Sequence, residues 1–166
     1  MSRRIWAFVV LAALPLAASV RKMTLDEMTR ESVGIVRGTV QELRARWSGE
    51  SSIVTDVILD VQQVYRGGLA RGELTLTILG GRIGDREVHA TEMAHFAKGE
   101  EVVVFLSASP YGLWPMAGFS GKYSVQRLRR GRAPGAAAIV VGVPEGPIPR
   151  DVPLAELERV LARAGK

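Results

Sequence analysis

From Val33 onward the apolar residues fall in strand-length runs, alternate with polar residues, and are cut by glycines. This spacing limits the fold more than any other feature, because a period of two fits a pleated strand and not a helix. The first run, 33–47, is β-branched, glycine-marked and ends at Trp47. Ser48-Gly-Glu-Ser-Ser52 is a polar turn, and 53–65 is a second long strand with Ile53, Thr55, Val57, Leu59 and Val61 on one face. Together they predict a hairpin. A third strand is expected at 73–79, with Leu74, Leu76 and Ile78 facing inward and threonines between them. The continuously apolar 101–107 predicts a strand buried on both faces. Residues 112–116 and 121–127 predict a further pair turning near Gly118, and 136–143 a last strand.

Two segments carry helical signals instead. Thr24-Leu-Asp-Glu27 has the spacing of a capping box and predicts a short helix at 24–31. After a proline-rich connector, Leu154, Leu157, Val160, Leu161 and Ala164 recur at helical spacing, with Glu156, Glu158, Arg159 and Arg163 opposite. Helices at the two ends and strands between them exclude a βα alternation and a parallel nucleotide-binding sheet. The expected fold is mainly β: a small, closed or nearly closed antiparallel barrel of five to seven strands, since closure removes sheet edges. At 166 residues the chain suits one domain, large enough to fold without staples. Staples are in any case excluded, because there is no cysteine; thiolate metal sites and thiol nucleophiles go with them.

The first residues read as an export signal. Arg3 and Arg4 precede an unbroken apolar run at 5–14, and Ala17 and Ser19 are small residues at the positions a signal peptidase requires. Cleavage is expected between Ser19 and Val20. The alternative is a retained N-terminal membrane anchor, but 5–20 is 16 residues with a proline in it, and a bilayer core takes about 20. The expected organisation is a signal peptide at 1–19, a barrel domain at 20–143 including the helix at 24–31, and a connector with the C-terminal helix at 144–166. The destination is the periplasm or the exterior of the cell. The formal charge is +5, and removal of Arg3 and Arg4 leaves 20 basic against 17 acidic residues, a weak excess for nucleic-acid binding.

The order of several short pieces resembles that of a family of exported bacterial proteins. The pieces are Ile35-Val-Arg-Gly-Thr-Val40, Trp47, the pair Gly80-Gly81, Phe96-Ala-Lys-Gly-Glu100, the apolar strand from Val102 to Leu106, and Gly118-Phe-Ser-Gly-Lys-Tyr-Ser-Val125. The resemblance implies an OB-type barrel similar to the netrin module and the tissue inhibitors of metalloproteinases. It implies a protein partner, such as a secreted protease. Those inhibitors chelate the protease zinc through an N-terminal cysteine, which this chain lacks, so that mechanism does not carry over.

Motifs for chemistry are sparse. A nucleophile needs a base beside it. There are two histidines and no Gly-x-Ser-x-Gly elbow; Ser120 lies in a shorter glycine-flanked turn before a strand. His89, Glu92 and His95 form the one metal-ligand pattern. At i, i+3 and i+6 they do not converge on a helix, and an exposed loop between strands is expected there. Gly80-Gly-Arg-Ile-Gly-Asp85 lacks the ending of a phosphate loop and reads as turn chemistry. Arg127, Arg129, Arg130 and Arg132 form a basic cluster expected at a hairpin tip. On an OB barrel such a cluster suits an anionic polymer. Trp47, beside a polar turn, is a candidate exposed binding residue. No cofactor is expected. The resulting expectation is a non-enzymatic binding module for a protein of the envelope or exterior, with the membrane touched only through an uncleaved signal segment. The alternatives are a small metal protein or enzyme using His89 and His95, or a binder of anionic polymer.

Overall fold

A computed structural model describes residues 23–91, 93–127, 138–141, 147–148 and 152–164. Outside these residues lie the expected signal segment at 1–19 and its expected Ser19–Val20 junction, Glu92, Arg129, Arg130, Arg132 and most of the connector.

The described chain is mainly β, with two helices and antiparallel pairing throughout. Helix α1 (Leu25–Glu31) starts where the capping box places it: the Glu27 amide donates to Thr24 Oγ1 at 3.2 Å, and the Thr24 amide donates to Glu27 Oε2 at 2.9 Å. Strands β1 (Gly34–Ser48) and β2 (Ser52–Arg66) form the long hairpin, and β3 (Gly72–Leu79) adds to β2. Two three-residue strands, β4 (Gly81–Ile83) and β5 (Arg86–Val88), make a small separate hairpin with Gly84 and Asp85 at its turn. Strand β6 (Glu101–Ser109) pairs along its first part with β8 (Lys122–Arg127) and continues beyond Ser109 into β7 (Gly112–Pro115). Strands β9 (Ala138–Val141) and β10 (Val152–Pro153) complete the sheet, and α2 (Leu154–Ala164) follows directly.

Three expectations need correcting. Among the described residues ten strands replace five to seven, because the glycine-rich stretch after β3 pairs with itself instead of merely turning, and Val152–Pro153, ahead of the C-terminal helix, pairs with β9. Strands β7 and β8 do not pair with each other. Each takes a different part of the same β6 edge, because a 3-10 turn at Gly118–Gly121 carries the chain from one part to the other. The ribbon is also not closed: hydrogen bonding runs from β10 through β9, β8, β6, β1 and β2 to β3 and stops. Instead the sheet curls until β3 lies near β7 without forming a ladder.

Strand β6 is apolar on both faces because it divides two cores. Val102, Val104 and Leu106 face a core shared with Val36, Leu59 and Leu76 inside the curl. Val103 and Phe105 face the other core, which both helices cover with Met28, Leu157 and Leu161. There Phe105 meets Tyr123 edge to face, with ring centroids 5.8 Å apart. The buried face of α2 matches its helical spacing, but Glu158 is not merely solvated. The Tyr65 hydroxyl donates to it at 2.7 Å, which ties α2 to β2. Burial, reinforced by that carboxylate, pushes the Tyr65 hydroxyl above its ordinary range, so it remains a donor. On β3, Leu76 is buried as expected, but so is Thr77, whose hydroxyl donates to Asp56 at 2.8 Å. None of the described helices is long and apolar enough to cross a membrane.

Candidate functional site

The far end of the β1–β2 hairpin borders a cleft of about 290 Å³. Leu43 of β1, Thr55 of β2, and Ile78 and Leu79 of β3 line it on one side; Val88 of β5 and the following loop, with His89, His95 and Phe96, line it on the other. Strand alternation explains the hairpin's share, since Leu43, Ala45 and Trp47 project from one face of β1. The small hairpin is drawn onto that face by close backbone approach. Thr55 Oγ1 donates to the Gly80 carbonyl at 2.8 Å, and the Gly80 amide donates to the Ile53 carbonyl at 2.9 Å. Gly81 has φ +135°, and a Cβ there would run into Thr55 Oγ1, so only glycine fits.

What distinguishes this end is apolar exposure. Leu43, Trp47, Leu79 and Val88 are 38, 41, 36 and 39 % exposed, and Leu43, Leu79 and Val88 border the cleft. Trp47 lies under the Arg86 guanidinium, 5.8 Å from the ring centroid. Scattered exposed apolar residues are ordinary, but several around one concavity form a contact surface. Of these, Trp47 is the residue that sequence marks, because it flanks a polar turn. Leu79, Val88 and Arg86 escape notice there, because their meeting depends on how the small hairpin folds back. Leu43 is legible in principle, being two strand periods from Trp47.

The other sequence candidates lie as follows. His89 and His95 are exposed, in a loop between strands, and both border the cleft. His89 Nε2 sits 3.2 Å from Glu87 Oε1. Glu92 is outside the described residues, and among those described no three ligand side chains gather around a point. Arg127 ends β8 and pairs there with Ala138, the first residue of β9, with 128–137 between them outside the described residues; its guanidinium donates twice to Glu101, at 2.9 and 3.0 Å. Glu101 also accepts from Arg37 at 2.9 Å.

Two pieces of the ordered pattern, 96–100 and 118–125, meet in space beside the cleft, which Phe96 itself lines. Glu100 accepts from the Lys122 ammonium, the Ser124 hydroxyl and the Ala97 amide, and Lys122 lies 5.5 Å from the centroid of the Phe96 ring. Burial opposes ionisation of Glu100, but these donors outweigh it and hold the carboxyl below its ordinary pKa. The clamp fixes the loop that forms one wall of the cleft. Comparison of the chain with protein-family models, with curated proteins and with solved structures finds no match.

Proposed function

We propose that this chain is an exported, non-enzymatic binding module on an OB-like curled sheet, and that it grips a protein of the envelope or exterior, such as a secreted protease, by the apolar rim of the cleft. The observation that carries this reading is the exposure of Leu43, Leu79 and Val88 around one concavity, with Trp47 further along the same face of β1. The OB-like reading is supported by the curl that brings β3 near β7, and by the clamp joining Phe96, Glu100 and Lys122. Export predicts a mature chain beginning at Val20, which mass spectrometry of the purified protein checks.

The rim is tested by affinity capture from envelope and culture fractions, with the wild-type protein and the Leu43→Asp and Val88→Asp variants as baits. Both side chains are more than half covered, so each change is expected to cost about 1–2 kcal/mol, and loss of capture by a variant that still melts cooperatively above the capture temperature reports contact and not unfolding. A partner retained equally by all three baits removes the rim from the reading. Tight, stoichiometric zinc uptake that His89→Ala abolishes replaces the reading with a metal protein.

A further inference from the structure

Strand β1 changes character just past Val40. Up to Thr39 it is paired on both edges, with β2 and with β6. A register shift lies between Val40 and Glu42, and from Glu42 to Ser48 the strand pairs with β2 alone. Among the described residues no strand pairs with its other edge there, although β4 packs against β1. Alternate residues of that stretch direct backbone N–H and C=O groups away from β2, and such a row is a template for another extended chain. Natural edges are blunted by charge of one sign, which repels a copy. This edge instead carries Glu42 and Arg44, opposite in sign, on one face, and exposed Leu43 on the other.

The geometry points to a second copy of this chain as the occupant, with the two β1 edges pairing antiparallel about a two-fold axis at Leu43. In that register Leu43 opposes Leu43 of the second copy, and Glu42 opposes Arg44 twice. Centring on residue 44 sets Arg44 against itself, and centring on residue 45 sets Arg44 against Arg46; like charges directly opposite are destabilising. Charge therefore selects one register. Leu43 also borders the cleft, so this axis places the two clefts side by side, each next to a leucine from the other copy. The paired edges are short, and an isologous contact of this kind falls below the roughly 1,200–2,000 Å² of a stable interface. The dimer is weak and depends on concentration.

Sedimentation velocity over a wide concentration range, without any ligand, reads the inference separately from the binding reading. The wild-type protein shows monomer–dimer exchange. Glu42→Arg and Arg44→Glu each weaken self-association by at least about tenfold. Their equimolar mixture associates again, because one chain is then basic at both positions and the other is acidic at both. The double variant E42R/R44E self-associates like the wild type. Unchanged thermal melts are expected, since the exposed Glu42–Arg44 ion pair within one chain adds little to folding. A wild-type protein that stays monomeric overturns the inference. So does a single variant that dimerises normally, or a mixture that fails to recover.

Discussion

The two halves of β1 are one strand with two physical situations. Residues 35–39 are paired on both edges and mostly buried; residues 42–48 are paired on one edge and mostly exposed. In the first half the side chains hold up two cores, with Ile35 on the helix-covered side and Val36 inside the curl. In the second half Leu43 borders a cleft instead of filling a core, and Trp47 is exposed further along the same face. A sequence that keeps alternating apolar residues past the point where its own core ends leaves them available to something else. That contrast, and not any catalytic constellation, makes the far hairpin end the candidate site.

The sharpest way to break the comparison is to truncate one apolar side chain in each half. Ile35→Ala removes a fully buried side chain and is expected to cost about 2–5 kcal/mol in urea denaturation. Leu43→Ala, at a side chain 38 % exposed, is expected to cost only about 1 kcal/mol. Equal costs would mean that the far half belongs to the core and is not free to bind. A smaller effect is expected at Gly38, beside one of the irregularities in the paired half. A Cβ there would sit 2.7 Å from the Asp60 carbonyl oxygen, and backbone cannot yield as a flexible side chain would. Gly38→Ala is expected to destabilise by about 1–3 kcal/mol, with a lower melting temperature as the readout.

Much of the paired half is legible in the sequence. The capping box marks the start of α1, the alternation of 53–61 marks β2, and the apolar run at 101–107 marks a strand buried on both faces, each from local chemistry. What local chemistry does not encode is which edge a strand takes. The turn near Gly118 reads as a hairpin between its neighbours, yet β7 and β8 both attach to β6. The rim is half legible: Trp47 announces itself beside a polar turn, whereas Val88 is a lone apolar residue among charges and gains meaning only when β5 folds back over the long hairpin. For Arg127, composition shows the arginine cluster but not that Glu101, 26 positions earlier, holds one of its members.

Acid separates the halves by a further degree. In the one-sided half, the Arg46 guanidinium holds the Asp56 carboxyl below its ordinary pKa against the opposing effect of burial, and Thr77 helps. Near the paired half, Glu100 is lowered in net, as its donors overcome burial. Both folded-state values lie below the unfolded ones. Each contribution is therefore complete above the ordinary carboxylate pKa of about 4 and is lost as pH falls through the lower folded-state value. Urea midpoints followed from neutral pH into that acid range are expected to fall. Glu100→Gln should flatten this decline more than Asp56→Asn, because Glu100 joins the cleft-wall loop to β8, whereas Asp56 serves only neighbouring strands of the far end. The reverse order would place the more important carboxylate in the exposed half.

The smallest effect is the most direct on the site, because it concerns how the rim is held. Arg86 of β5 covers Trp47 of β1, which makes it a side-chain link between the small hairpin and the far end of the long one. An exposed cation–π contact is worth about 0.5–1 kcal/mol. A double-mutant cycle of Arg86→Ala and Trp47→Ala is expected to show coupling of that size, since each single change removes the contact and the second then has little left to remove. Hydrogen exchange in the Arg86→Ala variant should rise at β4 and β5 and stay unchanged at β6, where Val102 to Leu106 lie wholly within the two cores. Zero coupling would mean that the backbone contacts of Gly80 and Gly81 alone seat the small hairpin, and that Trp47 is free to meet a partner without first displacing an arginine.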